Sequence, residues 1–469
     1  MSFADLSLRQ LAAGLRQRDF SSVELTDWTL REMAASNDFL HAFICQLPEI
    51  ALAAAERADR AFAAGQDLGP LQGIPFGVKD LFDLAGVATT SHSKIGLDQI
   101  ATTDAAVIAR LNAAGAVPVG KTATFEFATY GPDPDLPFPL ARNPWKPGHF
   151  TGGSSSGSAV AIAAGVLRIS LGTDTGGSIR TPSSWCGTVG LKPTFGRVSR
   201  RGCFPLSWSL DHTGALTRSV EDAAIALQAL AGFDPQDSDS ADRPVDNYLR
   251  LLGAPLNGLR IGLARGLMET ASDEVLAGVE RTARLLQELG AEIVEVATPP
   301  LRRFGAIVRA LLITEGHHIH ARNLRARYDD FGPVMARRLA LGAGYTALDY
   351  LACQKMRRVL AEEMSKAMCD CDVMLCATTP RTAPPNSANP NPFDPAGPSM
   401  TNPHNVTGNP AISVPIGLDA GGLPLAVQLV GRLFDEARLL QVAEAIEQNS
   451  GWAAQKLPDW RAIHEGERS

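Results

Sequence analysis

Three times along this chain an amphipathic helical stretch runs into a single glycine and then into a short apolar run. Residues 104–114 lead through Gly115 into Ala116–Val119, and residues 157–164 lead through Gly165 into Val166–Leu171. Residues 272–289, with Ser272 as the N-cap, lead through Gly290 into Ala291–Val296. A glycine just past a helix closes it with a left-handed residue, and a β-branched run behind it favours a strand. Helices that alternate with strands need a sheet covered on both faces, which restricts the chain to a layered α/β architecture.

Other segments extend the pattern. Arg260–Ala264 and Val373–Cys376 read as buried strands, and Asp435–Ile446 as an amphipathic helix. Residues 1–65 predict helices: Ser21-Ser22-Val23-Glu24 has the spacing of a capping box, followed by Leu25, Trp28 and Met33, and the Ala-rich stretch 50–64 forms a second helix. Residues 378–403 hold eight prolines, a density that excludes regular structure and predicts a long loop. No linker divides the chain, so residues 1–469 are expected to form one domain.

Composition narrows the function classes. The formal net charge of −7 opposes nucleic-acid binding, which is driven by neutralising phosphates. The first residues lack a basic, apolar leader, and no run of about 18 apolar residues offers a membrane span. The seven cysteines form no C-x-x-C pair, so a reduced, cytoplasmic protein is expected, with neither a disulfide framework nor a zinc site.

Four motif matches conflict with their own contexts. Gly115–Thr122 fits the expression for a nucleotide-binding P-loop, but a helix precedes it and the supposed loop is an apolar strand. Asp174-Thr175-Gly176 resembles half of an aspartic protease, yet no second copy exists to share its proton. Gly153-Ser154-Ser155-Ser156-Gly157 fits a nucleophile elbow centred on Ser155, but no strand precedes it, and only His212, His404 and His464 stand out as bases. His317-His318-Ile319-His320 lacks a carboxylate or cysteine to complete a metal shell, so no metal is expected.

What holds together is a lysine and two glycine–serine turns. Gly73–Asp80 places Lys79 at the end of a short apolar strand. Gly152–Ser158 is a hydroxyl-rich turn that opens a helix, and Gly172–Arg180 follows a strand and contains Ser178. A serine nucleophile needs a base and a set of backbone N–H donors for the oxyanion, and Gly176-Gly177 lets successive N–H groups converge. Lysine is a base only when neutral, and the apolar Ile74, Phe76 and Val78 around Lys79 are consistent with the burial that would achieve this. The bland alternative, a surface lysine beside ordinary loops, explains each part alone but not the three together.

These segments resemble the amidase signature family from about Leu71 to Gly202, with GGSSSGS and GTDTGGSIRTPSSWCGTVGLKPTFGRVSRRG as the defining block. Weaker similarity covers 403–411 and 423–431. The resemblance implies a three-layer α/β/α sandwich around a large mixed sheet. It also implies a catalytic triad of Lys79, Ser154 and Ser178, with Ser154 following a cis peptide after Gly153. Thr175, Gly176, Gly177 and Ser178 would form the oxyanion hole. Asp174 and Arg180 would brace it as a pair, and Ser155 and Ser156 would assist.

The implied reaction is hydrolysis of a carboxamide to acid and amine, without cofactor, with carbamates, urea-type bonds and esters left open. The expected partners are a small-molecule amide and water, with no nucleic acid and no membrane; a homodimer is left open. Phe127, Tyr130, Trp208 and the proline-rich loop are expected to line a hydrophobic pocket. The rival is the glutaminase subunit of a tRNA-dependent amidotransferase. In that subfamily an acidic residue lies where this chain has Pro398-Ser399-Met400, which opposes the rival, although Arg357 matches its carboxylate partner.

Overall fold

Apolar runs this short gain stability only by pairing, and eleven of them join in one sheet. The computed structural model describes residues 3–129, 131, 133, 135–387 and 399–468. The strands are β1 (Phe43–Gln46), β2 (Pro75–Lys79), β3 (Val117–Thr122), β4 (Ile169–Asp174), β5 (Val189–Lys192), β6 (His212–Thr217), β7 (Arg260–Leu263), β8 (Glu292–Glu295), β9 (Val373–Ala377), β10 (Ala411–Leu418) and β11 (Pro424–Gly431). Their spatial order is β1-β3-β2-β4-β6-β5-β10-β11-β9-β7-β8. Pairing is parallel across β3-β2-β4 and β9-β7-β8 and antiparallel elsewhere, so the sheet is mixed.

The three helix–glycine–strand units close as the sequence predicts. In each, the glycine N–H bonds to the carbonyl three residues back and the next N–H bonds to the one five back, as in Ala116 N to Leu111 O at 3.0 Å. These glycines have φ of +76°, +77° and +95°, the left-handed conformation that this closure requires. The helices before them are Ala106–Ala113, Ser156–Ala163 and Asp273–Glu288, the last capped by Ser272.

Helices cover both faces of the sheet, giving the three layers. The larger core contains Val107, Leu227, Val279 and Leu440; the smaller contains Met33, Ala55 and Val160 from the helices Ser22–Leu40, Pro48–Ala63 and Ser156–Ala163. Ala215 and Leu216, neighbours on β6, enter opposite cores, as the two-residue period of a strand dictates. Between β8 and β9 the chain leaves the sheet and forms two long helices, Leu301–Ala326 and Ala347–Ala367, which the sequence pattern does not delimit. Among the described residues no helix is long and apolar enough to cross a membrane.

Candidate active site

β2 and β4 are adjacent and parallel, so their last residues, Lys79 and Asp174, emerge at the same end of the sheet. Crevices at the carboxyl ends of parallel strands are where α/β sheets bind ligands. Lys79 lies there fully buried. Its Nζ contacts Thr173 Oγ1 at 2.7 Å, Ser154 Oγ at 2.8 Å and Ser155 Oγ at 2.9 Å. Among the described residues no carboxylate lies within an ion-pair distance of this amine. Burial therefore dominates and lowers its pKa from 10.5 to about 7, despite opposing attraction from Asp174 and Asp211.

Ser154 and Ser155 come from the turn before the helix Ser156–Ala163, and the Gly153–Ser154 peptide is cis. The two glycine–serine turns are joined through the backbone: Ser155 N–H donates to the Ser178 carbonyl at 3.2 Å. Ser178 is half-buried while Ser154 and Ser155 are buried. Ser156, expected to assist, instead faces the Ala123 carbonyl at 3.5 Å. Thr173 is a site residue that the sequence pattern did not mark; its alternation with Asp174 on β4 turns it to the opposite side, toward Lys79.

Asp174 and Arg180 form the expected pair. Arg180 donates through Nε at 3.0 Å and Nη2 at 2.8 Å, and both groups are fully buried. Arg180 also reaches the Thr401 carbonyl, Gln428 Oε1 and Asn405 Oδ1 at 2.7–2.9 Å, and Asn405 Nδ2 donates to Asp174 Oδ1 at 2.9 Å. Burial by itself would raise the Asp174 carboxyl, but Arg180, Lys192 and Asn405 outweigh it and hold it below the usual range. Asn405 and Gln428 lie in the two weakly similar segments; for Gln428, a polar residue within the apolar run of β11 was the available signal.

One element of the expected oxyanion hole is corrected. The Gly177 N–H donates to Asp174 Oδ1 at 2.8 Å and so is already satisfied. Among the described residues no protein acceptor meets the N–H groups of Thr175, Gly176 or Ser178. Gly177 has φ +128°, and an added Cβ would collide with the Thr401 side chain.

A cavity of about 260 Å³ opens against Thr173 and Thr175. Leu81, Phe204, Leu206 and Trp208 give it an apolar wall, and Arg200 and Asp239 stand among its polar groups. Of the residues expected to line a substrate pocket, Trp208 borders this cavity. Phe127 does not: it is 2 % exposed, packed among Phe204, His320 and Phe331, and does not line this cavity. Tyr130 and residues 388–398 of the proline-rich loop lie outside the described residues.

The motifs set aside occupy structural places. Gly115–Thr122 is a helix end followed by β3, and its Lys121 is buried against Asp80 at 3.0 Å. His317 faces the Leu339 carbonyl, His318 packs on Trp208 and His320 is buried among phenylalanines. All seven cysteines are unpaired.

Comparisons with known proteins bear on the family and the fold. The chain is 40% identical over 470 residues to one subunit of the glutamyl-tRNA(Gln) amidotransferase of a Synechococcus species, covering 94% of this chain and 95% of that one. Its fold matches native peptide amidase from Stenotrophomonas maltophilia, with a TM-score of 0.87, 31% identity and coverage of 98% and 99%. It also matches the corresponding glutamyl-tRNA(Gln) amidotransferase subunit from Thermotoga maritima, with a TM-score of 0.84, 30% identity and 98% of each chain covered. With the family model described as Amidase matching residues 24–440, the chain belongs to the amidase family, whose members act on amide C–N bonds.

Proposed function

We propose that this protein hydrolyses carboxamide C–N bonds through an acyl-enzyme on Ser178, with Ser154 and Lys79 relaying the proton. The observation that carries this reading is an amine of pKa about 7, 2.8 Å from the hydroxyl of a serine whose neighbour bonds to the Ser178 backbone. A neutral amine can take a proton from a hydroxyl and return it; an ammonium cannot. As Ser178 Oγ bonds to the substrate carbonyl carbon, its proton passes to Ser154 Oγ, and the Ser154 proton passes to Lys79 Nζ. The N–H groups of Thr175, Gly176 and Ser178 are available to the oxygen on which charge develops.

Collapse breaks the C–N bond, and the leaving nitrogen takes a proton back along the same relay. Water then attacks the Ser178 ester by the same steps and releases the acid. Changing Lys79→Ala is expected to lower the rate at least ~10²-fold, the low end for loss of a general base. Ser178→Ala is expected to abolish turnover and labelling by a fluorophosphonate. Normal hydrolysis of an aryl amide by either variant would overturn the reading.

The curated relatives favour a second reading within the same chemistry, in which the amide is that of glutamine and the chain works beside other subunits of a tRNA-dependent amidotransferase. That reading brings in a nucleic acid, against the expectation from charge. Arg357, which matches the subfamily's carboxylate partner in the sequence, is half-buried and bonds through Nε to the Val406 carbonyl at 3.1 Å. Against it, Ser399 bonds to Thr401 at 2.8 Å and Met400 is buried in the core, in the stretch where the subfamily carries an acidic residue. Assaying the purified chain separates the two. Aryl amide hydrolysis by the chain alone supports the stand-alone amidase, whereas glutamine hydrolysis that requires added subunits supports the second reading.

A further inference from the structure

Thr175 opens the turn that would receive the oxyanion, and its side chain has a partner that the proton relay does not use. The Thr175 hydroxyl donates to Asp211 Oδ1 at 2.6 Å. Asp211 Oδ2 accepts the N–H groups of Leu206 at 2.9 Å and Ser207 at 3.0 Å. One oxygen of this carboxylate thus grips the catalytic turn while the other closes the carboxylate's own loop. Thr175 and Asp211 both line the cavity, so the contact lies on its wall, three residues along the turn from Ser178.

The loop is also held from behind. Glu315, on the helix Leu301–Ala326, is 1 % exposed and accepts Ser207 Oγ at 2.5 Å, Ser209 Oγ at 2.5 Å and Ser209 N at 3.1 Å. Tyr350, from the helix Ala347–Ala367, donates to it at 2.9 Å. Buried carboxylates are costly unless fully hydrogen-bonded, and these two are bonded on both oxygens.

We propose that Asp211 is a positioning residue for acyl transfer: it fixes the Thr175 end of the oxyanion turn, and Glu315 holds the Asp211 loop in place. This rests on the reading that Ser178 is the nucleophile. Oxyanion donors act by being aligned before charge develops, and loss of one donor costs about 10²–10³ in rate. Gly176 and Gly177 have no side chains to hold their backbone. Alignment therefore depends on their anchors: Asp174 on the Gly177 N–H, Thr401 on the Gly176 carbonyl at 2.6 Å, and Asp211 on Thr175.

The test is the rate at which an alkyl fluorophosphonate labels the full chain, read by intact mass. In that reaction Ser178 Oγ bonds to phosphorus, fluoride leaves and the serine proton enters the relay. Thr175→Val, which keeps shape and removes the hydroxyl, is expected to slow labelling by about tenfold or more, and Thr175→Ser to restore it to within about threefold. Asp211→Asn is expected to slow it as well. The double variant should be no slower than the slower single, because one contact is being removed twice. Labelling of Thr175→Val at the unaltered rate, or a double variant slowed by the product of the singles, overturns the proposal. An adduct that maps away from Ser178 overturns the site reading itself.

Discussion

Lys79, Lys121 and Lys192 are all fully buried, but only Lys79 is equipped to exchange a proton. Lys121 pairs with Asp80 and also faces the Phe82 carbonyl and, at 3.4 Å, Thr89 Oγ1, whose proton is held by Asp83; Lys192 faces the carbonyls of Pro193 and Asn409. Carbonyls and carboxylates accept hydrogen bonds from an ammonium but hold no proton to give back. The hydroxyls around Lys79 both donate and accept. Because burial lowers its pKa to about 7, the amine is neutral above that pH and charged below it. The kcat/KM profile should therefore rise through an apparent pKa near 7 and level off on the alkaline side; a limb displaced by two units or more would implicate another base. Arg180→Met should destabilise the chain by about 3–5 kcal/mol in denaturant unfolding, since it leaves the buried Asp174 without its cation. Lys79 and Ser178 were legible as types in a pattern. Thr173 and Asp211 were not, because a threonine on a strand or an aspartate in a loop carries no signal until the partner it meets in space is known.

At the scale of elements, glycine has two roles that the chain separates by position. Gly290 ends a helix at φ +95°, and the side-chain amide of Asn257 is the nearest obstacle to an added Cβ. Gly157, inside the helix Ser156–Ala163, is pressed against the backbone of Ala42 and Ala123. Gly290→Ala should cost about 1–2 kcal/mol in unfolding free energy, the penalty for a left-handed non-glycine. Gly157→Ala should cost more and lower activity with stability, because backbone on both sides must move and the turn carrying Ser154 and Ser155 leads directly into this helix. Equal costs for the two would remove the distinction. Helix ends were legible because capping chemistry is local. The helix Ala347–Ala367 was not, since only Leu360 and Met364 are buried and no apolar stripe marks it. Neither were β5, β6, β10 and β11 read as strands: buried on both sides, they lack the alternation that identifies a strand.

The whole molecule joins segments far apart in the chain, and its response to pH follows from what that joining buries. Glu447 meets the Val220 N–H, and burial raises its pKa from 4.5 to about 8; burial likewise raises Asp222 from 3.8 to about 7. Both are protonated in the fold at a pH where the unfolded chain has released the proton. Their contribution is therefore complete below about pH 4 and is lost as pH rises toward 8. The difference in melting temperature between the parent chain and Glu447→Gln should change between pH 5 and 8, the parent losing relative stability as pH rises; a difference that does not vary with pH would reject the assignment. The sequence by itself determined the alternation of helices and strands, the glycine stops, and the lysine and two serine turns, because propensity, capping and backbone freedom act over a few residues. Only the tertiary structure decided the strand order, the mixed pairing, which of three buried lysines meets the serine hydroxyls, and which N–H groups of the turn stay free. Those depend on contacts between residues dozens to hundreds of positions apart, as with Arg180, Asn405 and Gln428, whose energies arise from burial and complementarity that no local pattern encodes.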